Sequence, residues 1–380
     1  MSLIVGAQLV TPDGVVGDGW LETAGTRIVG IGSGRPERTP DHDVAGRWIV
    51  PGFVDMHTHG GGGATVVGAD PEQIATFVAT HRGHGTTSIV ASLVTGFPDA
   101  LEHDVRALAE LAQDSVIVGT HLEGPWISPA RKGAHNPDAL AAPDPTVVQH
   151  LLTAGRGTVR MVTLAPELDH GLAAVRTVVD AGAIAAVGHT DATFDVVREA
   201  IDAGASVATH LFNAMTPLNH REPGPIAALL DDPRVTVELI LDGVHLHPAV
   251  AALASRAAGP ARVALVTDAM SATGIGDGDY VLGELAVRVE DGVARLVGDG
   301  TIAGSTLTMD RAFRFAVTQA GFSMADAVRA ASTTPAGLLG LSDRTGALVV
   351  GLDADLVVLD ADLGLGGVMA RGSWVGAAPA

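Results

Sequence analysis

The chain has no cysteine, which excludes disulfides, thiolate nucleophiles and cysteine-held zinc or iron–sulfur clusters. Any metal must therefore be held by histidine and carboxylate. Aromatic residues make up only 3%, with a single Tyr, and positive charge is scarce: 23 Lys and Arg face 43 Asp and Glu, for a net charge of −20. The longest basic cluster is Arg131-Lys132, so neither a nucleic-acid groove nor a patch for an anionic membrane is expected. An anionic small substrate stays possible, because salt screens distant charge beyond about 8 Å and a local pair of cations decides. Long apolar runs are missing too. The first fourteen residues lack a basic segment, and their short apolar run is cut by Pro12 and Gly14, which predicts no signal peptide, no spanning helix and a cytoplasmic setting.

What is present is a globular composition. Hydrophobic residues make up 47% of 380 residues with mean hydropathy +0.32, which excludes disorder, and the 48 glycines follow no triplet period, which excludes a collagen-like fibre. Histidine is well represented, with 15 residues, and imidazole both ligates metals and moves protons near neutral pH.

Eight short β-rich runs alternate with helical spacing. The strands are predicted over 52–57, 86–92, 116–122, 159–165, 184–189, 207–211, 235–241 and 263–268. The helices between them are predicted over 71–84, 98–112, 146–154, 172–181 and 193–203. Eight βα repeats point to an α/β fold, a (β/α)8 TIM barrel. Both ends of the chain read as short strands and turns, so residues 1–50 plus 345–380 are expected to form one small β-sandwich domain and residues 51–344 the barrel. Turns at Asp291-Gly292 and Asp299-Gly300 predict a β-hairpin insertion near 273–304. The run Gly60 to Gly63 lacks a nucleotide-binding fingerprint and reads as a flexible rim.

Barrel enzymes build their sites at the C-terminal ends of the strands, and ligand-type residues recur there. His57 and His59 close the first run, Glu123 follows the third, His189 ends the fifth, His210 lies in the sixth and Asp268 ends the eighth. Singly, each has a bland reading: a strand histidine is commonly a satisfied core residue, and an aspartate at a strand end commonly caps the next helix. Jointly they share one mouth. Nitrogen and oxygen donors without sulfur suit a divalent ion such as zinc or iron and hydrolytic chemistry.

The string Pro51-Gly-Phe-Val-Asp-Met-His-Thr-His-Gly60 resembles the opening motif of the amidohydrolase superfamily, and residues 346–360 resemble its closing strand. Within that superfamily the chain resembles the N-acetylglucosamine-6-phosphate deacetylases. The strings that carry this are His121-Leu-Glu-Gly-Pro-Trp126, Lys132-Gly-Ala-His-Asn136, Gly188-His-Thr190, Thr209-His-Leu-Phe-Asn-Ala-Met215, Arg221-Glu-Pro-Gly224, Asp242-Gly-Val-His245, Thr267-Asp-Ala269 and Ala303-Gly-Ser305. The resemblance implies that Glu123, His189 and His210 ligate the principal metal and that Asp268 is general base and then acid. Some members of the family carry Gln-x-Asn at the first motif and use one metal. This chain keeps His57 and His59, so one or two ions are expected.

The resemblance further implies that His245 sits beside the substrate carbonyl, that His135 contacts the sugar, and that Asn213, the Ala214 backbone and Arg221 hold a phosphate. Arg221 would come from the neighbouring subunit of a homodimer. For His245 a helix-start role, for His135 a solvated loop and for Arg221 a local ion pair are the alternatives. The expected substrate is a small amino-sugar phosphate, N-acetyl-D-glucosamine 6-phosphate, cleaved to the amine and acetate. Rival readings are an amidohydrolase for another N-acetylated amino sugar or a cyclic amide, and a non-catalytic assembly protein, whose expected gap among the ligands is not found.

Overall fold

The computed structural model describes residues 1–379. Eight parallel strands stand side by side in chain order: β1 (Phe53–Asp55), β2 (Thr86–Leu93), β3 (Gly119–Glu123), β4 (Val159–Leu164), β5 (Ile184–Val187), β6 (Val207–Ala208), β7 (Thr236–Leu239) and β8 (Val263–Leu265). They are almost wholly buried, as strands covered on both faces require, with apolar side chains at most positions and His121, Glu123 and Glu238 among the exceptions. The first and last strands meet just past their ends, where His57 O accepts the Asp268 N–H at 2.9 Å and Ala269 O accepts the His59 N–H at 2.8 Å. Asp55 reinforces the seam, its Oδ2 accepting the Thr267 hydroxyl at 2.6 Å. This (β/α)8 closure sets His57, His59 and Asp268 beside one another.

Helices Pro71–Gly83, Pro98–Gln113, Pro145–Ala154, Gly171–Asp180 and Phe194–Asp202 fall where the apolar spacing predicts them. Asp70, Asp144 and Thr193 cap three of these N-termini by accepting backbone N–H groups. The predicted strand ends differ in a consistent way. β5, β6 and β8 stop before His189, His210 and Asp268, and these three residues have left-handed backbone, with φ of 47°, 28° and 49°. Few non-glycine residues sit there, and such positions gather at functional sites. The chain leaves the ladder two to three residues before each of these positions and turns each side chain into the barrel mouth.

Both chain ends build the small β-sandwich domain. Its strand order is Ser373–Trp374, Leu365–Ala370, Leu356–Leu359, Trp48–Pro51, Ser2–Thr11, Gly14–Ala24 and Arg27–Ser33, with His42–Asp43 beside Ser2–Thr11. The antiparallel pairing of Leu356–Leu359 with Trp48–Pro51 joins the two ends. Ile4, Leu9, Leu21, Ile49, Leu356 and Val358 belong to its own apolar core, separate from that of the barrel.

Two expectations are corrected. The hairpin near 273–304 is a three-stranded antiparallel sheet, Gly278–Leu282, Leu285–Glu290 and Val293–Leu296. The middle strand buries Val287 and Val289 and exposes Arg288 and Glu290, so one face packs on Met270, Ala272 and Ala303 beside the mouth. The glycine run is not a flexible rim: Gly60–Gly61 pairs with Ala64–Thr65, and the N–H groups of Gly62 and Gly63 donate to Thr273 O and Ser271 O at 2.7 and 2.8 Å. A side chain on Gly62 would meet Thr80 Oγ1, so the run lies against the following helix, Pro71–Gly83, for want of a Cβ. No helix is long and apolar enough to cross a membrane among the described residues.

Candidate active site

Six side chains converge at the mouth. His57 Nε2 lies 3.1 Å from His59 Nε2, and His59 Nε2 lies 3.1 Å from Glu123 Oε2 and 3.2 Å from Asp268 Oδ1. On the other side of Glu123, Oε1 is 3.1 Å from His189 Nε2 and 3.0 Å from His210 Nε2, with the two imidazole nitrogens 3.0 Å apart. The carboxylate of Glu123 thus stands between two histidine pairs, all buried.

The donor set fits a divalent metal. His57 donates its Nδ1–H to Glu238 Oε2 at 3.1 Å, His59 to Ser92 O at 3.0 Å and His189 to Arg131 O at 2.9 Å. These bonds turn each Nε2 inward, the usual outer support of a metal-bound imidazole. His210 is the exception, its Nδ1 being buried without a partner. Two inward Nε2 atoms at 3.0–3.1 Å repel whether both carry lone pairs or both carry protons. A cation between them removes the conflict, and such spacings approach the ligand–ligand edge of about 3.3 Å in a tetrahedral site with nitrogen at 2.0–2.1 Å.

The electrostatics point the same way. Burial opposes charge on His59, but hydrogen bonds to Asp268 and Glu123 outweigh it and raise its pKa to about 9. Burial likewise pushes Asp268 up, yet the His57 charge and the His59 hydrogen bond hold it at about 2. Glu123 is held well below the ordinary carboxylate range despite its burial, by His57 and the bonds from its histidine neighbours. Two ionised carboxylates in a buried place demand positive charge, from protons or from a metal.

Glu123, His189, His210 and Asp268 open onto a cavity of about 350 Å3. Its wall includes His135, Asn213, Ala214 and His245. His245 Nδ1 donates to Asp242 Oδ2 at 2.6 Å, and this bond raises the imidazole pKa against the opposing effect of burial. His135 is buried beneath the wall, with Nδ1 2.8 Å from Thr95 Oγ1 and Nε2 3.5 Å from Glu123 Oε2, and burial pulls its pKa down to about 4. His135 is therefore a neutral neighbour of the carboxylate and not a solvated loop residue.

The model of the amidohydrolase family matches residues 48–379 of the chain. The chain belongs to the amidohydrolase family. It is 35% identical over 370 residues to an N-acetylglucosamine-6-phosphate deacetylase of Bacillus subtilis, covering 95% of this chain and 93% of that one. It is also 35% identical to an N-acetylgalactosamine-6-phosphate deacetylase of Escherichia coli O157:H7, covering 94% of each. Among solved structures, a mutant N-acetyl-D-glucosamine-6-phosphate deacetylase of Mycobacterium smegmatis in complex with N-acetyl-D-glucosamine-6-phosphate superposes with a TM-score of 0.95 at 50% identity, covering 98% of this chain and 99% of that one.

In this amidohydrolase one residue of the expected site stands apart. Arg221 lies on an exposed stretch, where its backbone N–H donates to Asn219 Oδ1 at 3.1 Å, and it does not line the cavity. Other residues at the site were not anticipated. Glu238 in β7 is wholly buried and bonds both His57 and the His210 backbone N–H, the latter at 3.1 Å. His121 lies edge-on to His57 and bonds Ser92 Oγ at 3.0 Å and Thr163 Oγ1 at 2.8 Å. Glu238 had a signal in the sequence, as the one charged residue within the apolar run 235–241.

Proposed function

We propose that the protein hydrolyses N-acetyl-D-glucosamine 6-phosphate to D-glucosamine 6-phosphate and acetate in the cytoplasm. The observation that carries the reading is the paired set of inward Nε2 atoms flanking Glu123 with Asp268 beside it, in a chain whose relatives are sugar-phosphate deacetylases. His57, His59, Glu123 and Asp268 would hold one divalent ion and Glu123, His189 and His210 a second, with zinc or iron suited to the donors. Bound there, a divalent ion supplies acidified water and polarises the amide carbonyl.

The rest falls to the chain's own groups. Asp268, ionised at neutral pH, takes the proton of the attacking water and returns it to the departing amine nitrogen. His245, its Nδ1 fixed by Asp242, presents the opposite edge of its ring to the cavity as a donor for the developing oxyanion, an effect worth about 3 kcal/mol. His135 bounds the sugar side. Asn213 and the Ala214 backbone, at the end of the cavity after the left-handed turn at His210, would receive the phosphate.

Arg221 completes that end from a second copy. Its exposure and its absence from its own chain's cavity support a homodimer in which each subunit lends this arginine to the other. The division into residues 1–50 with 345–380 and residues 51–344 belongs to the same reading and is supported by the two separate apolar cores.

The test is acetate release from the phosphorylated sugar against the unphosphorylated one, on protein of known metal content. Turnover restricted to the phosphate ester supports the reading. Turnover of neither sugar with metal bound discards the substrate. Because one relative is an N-acetylgalactosamine-6-phosphate deacetylase, the galacto epimer belongs in the same panel, and a preference for it would favour that second reading.

A further inference from the structure

A second cavity lies at the opposite end of the barrel. It encloses about 490 Å3 between the N-terminal ends of β2–β4, the end of helix Pro71–Gly83 and the small β-sandwich domain. Four guanidinium groups line it: Arg82, Arg160, Arg344 and Arg371. In a chain so short of positive charge, this is a concentration without an evident structural purpose.

The balance of partners is the telling part. Two carboxylates share the cavity, and Asp353 is already engaged by Arg27 at 3.0 Å and by Arg344 at 3.6 Å. Asp355 spends its oxygens on the Arg371 backbone N–H at 2.8 Å and the Thr345 hydroxyl at 3.0 Å. Among the described residues Arg82 and Arg371 form no side-chain hydrogen bond or ion pair, and the Nε of Arg82 is sealed from solvent without an acceptor. Arg160 meets only a carbonyl, donating its Nε–H to Val118 O at 3.3 Å. The buried Nε donor of Arg82 is costly unless something accepts from it, whereas Arg160 is half-buried and Arg371 exposed at the rim.

We propose that this cavity binds a dianionic phosphate monoester at a site distinct from the candidate active site. The guanidinium forks of Arg82 and Arg371, with the terminal nitrogens of Arg160, match phosphate oxygens, and four arginines against two aspartates leave a surplus that a dianion neutralises. The void exceeds the needs of inorganic phosphate and is larger than the mouth cavity that would take a hexosamine phosphate. Hydroxyls of Thr87, Ser88 and Ser115 are placed for a polar, sugar-like ester group. A ligand here would bridge the barrel and the small domain, since Arg371 belongs to the latter and Arg82 and Arg160 to the former.

The experiment is arginine modification with phenylglyoxal, read by peptide mass spectrometry, with glucosamine 6-phosphate, ribose 5-phosphate, inorganic phosphate or unphosphorylated glucosamine present. The expected result is protection of Arg82 and Arg371 by the two esters, with glucosamine giving none. Protection by glucosamine 6-phosphate alone would identify an amino-sugar phosphate as the source, and equal protection by both esters a general phosphate-ester site. Calorimetry with glucosamine 6-phosphate complements it. The double variant Arg82→Gln, Arg371→Gln should lose one binding event, or weaken it at least about tenfold, while kcat for acetate release stays within about twofold. Unprotected arginines, or equal binding by both proteins, overturn the proposal. Modification and calorimetry need no turnover, so the result stands apart from the fate of the proposed reaction.

Discussion

His245 Nδ1 lies 2.6 Å from Asp242 Oδ2, while Asp242 Oδ1 accepts the backbone N–H groups of Val244 and His245 at 2.8 Å each. The aspartate thus fixes both the ring and the turn that carries it, and it favours the protonated form of the ring at the cavity wall. Asp242→Asn should lower kcat by about 10- to 100-fold with KM and metal content little changed. A purely structural role would lower stability instead and leave the pH profile of kcat in place, so denaturation and pH–rate curves on the same variant separate the two.

Asp268 is the only proposed proton carrier, and its amide replacement keeps the shape while removing the base. Asp268→Asn should lower kcat by about 10²- to 10⁴-fold and leave the circular dichroism spectrum unchanged. Metal should persist at His189 and His210, as measured by atomic absorption. Undiminished acetate release would remove Asp268 from the mechanism.

Arg221 makes a prediction about two subunits at once. Arg221→Ala should raise KM for the phosphorylated sugar by about tenfold or more. If the arginine crosses the interface, mixing that variant with Asp268→Asn and allowing subunits to exchange should, at substrate well below the raised KM, bring activity to about a quarter of wild type, since half the dimers are hybrids with one complete site. Absence of restoration in verified hybrids places Arg221 in its own subunit.

His81, outside the histidine–carboxylate cluster, provides a pH test. It is fully buried, bonded through Nε2 to Gly60 O at 2.8 Å, with its Nδ1 without a partner, and burial lowers its pKa to about 4. The unfolded chain takes this proton near pH 6.5. The stabilisation is therefore whole above pH 6.5 and is lost as pH falls toward 4, by roughly 2 kcal/mol between pH 7 and 5. Urea unfolding should show His81→Phe with a shallower acid slope than wild type. Equal slopes would contradict a neutral buried imidazole.

Much of this was legible in the residues because a parallel barrel writes its strands as apolar runs and its site as the polar residues that end them. The runs containing Thr86, Val159 and Val263 fall on strands β2, β4 and β8. The left-handed exits at His189, His210 and Asp268 were not legible, because propensity disfavours that backbone for residues with a Cβ and only the surrounding contacts hold it. At Gly188 the need is visible only in three dimensions, where a Cβ would approach Thr209 Cβ to 2.6 Å. Glu238 and His121 act through His57 from strands far apart in sequence, and no spacing rule links them. The extra strand Gly278–Leu282 was missed because its glycine start and polar first turn read as loop. Arg221 shows a further limit, since its partner in the proposed site belongs to another chain.

The central claim is that the histidine–carboxylate cluster holds divalent metal and that hydrolysis depends on it. The measurement is a metal titration: the protein is stripped with chelator, zinc or ferrous ion is added back in defined equivalents, and acetate release from N-acetylglucosamine 6-phosphate is recorded at each step. The account predicts no activity in stripped protein and a rise that saturates by two equivalents, with His57→Asn removing one of them. Full activity in stripped protein, or metal binding that is complete without any gain in activity, would contradict it.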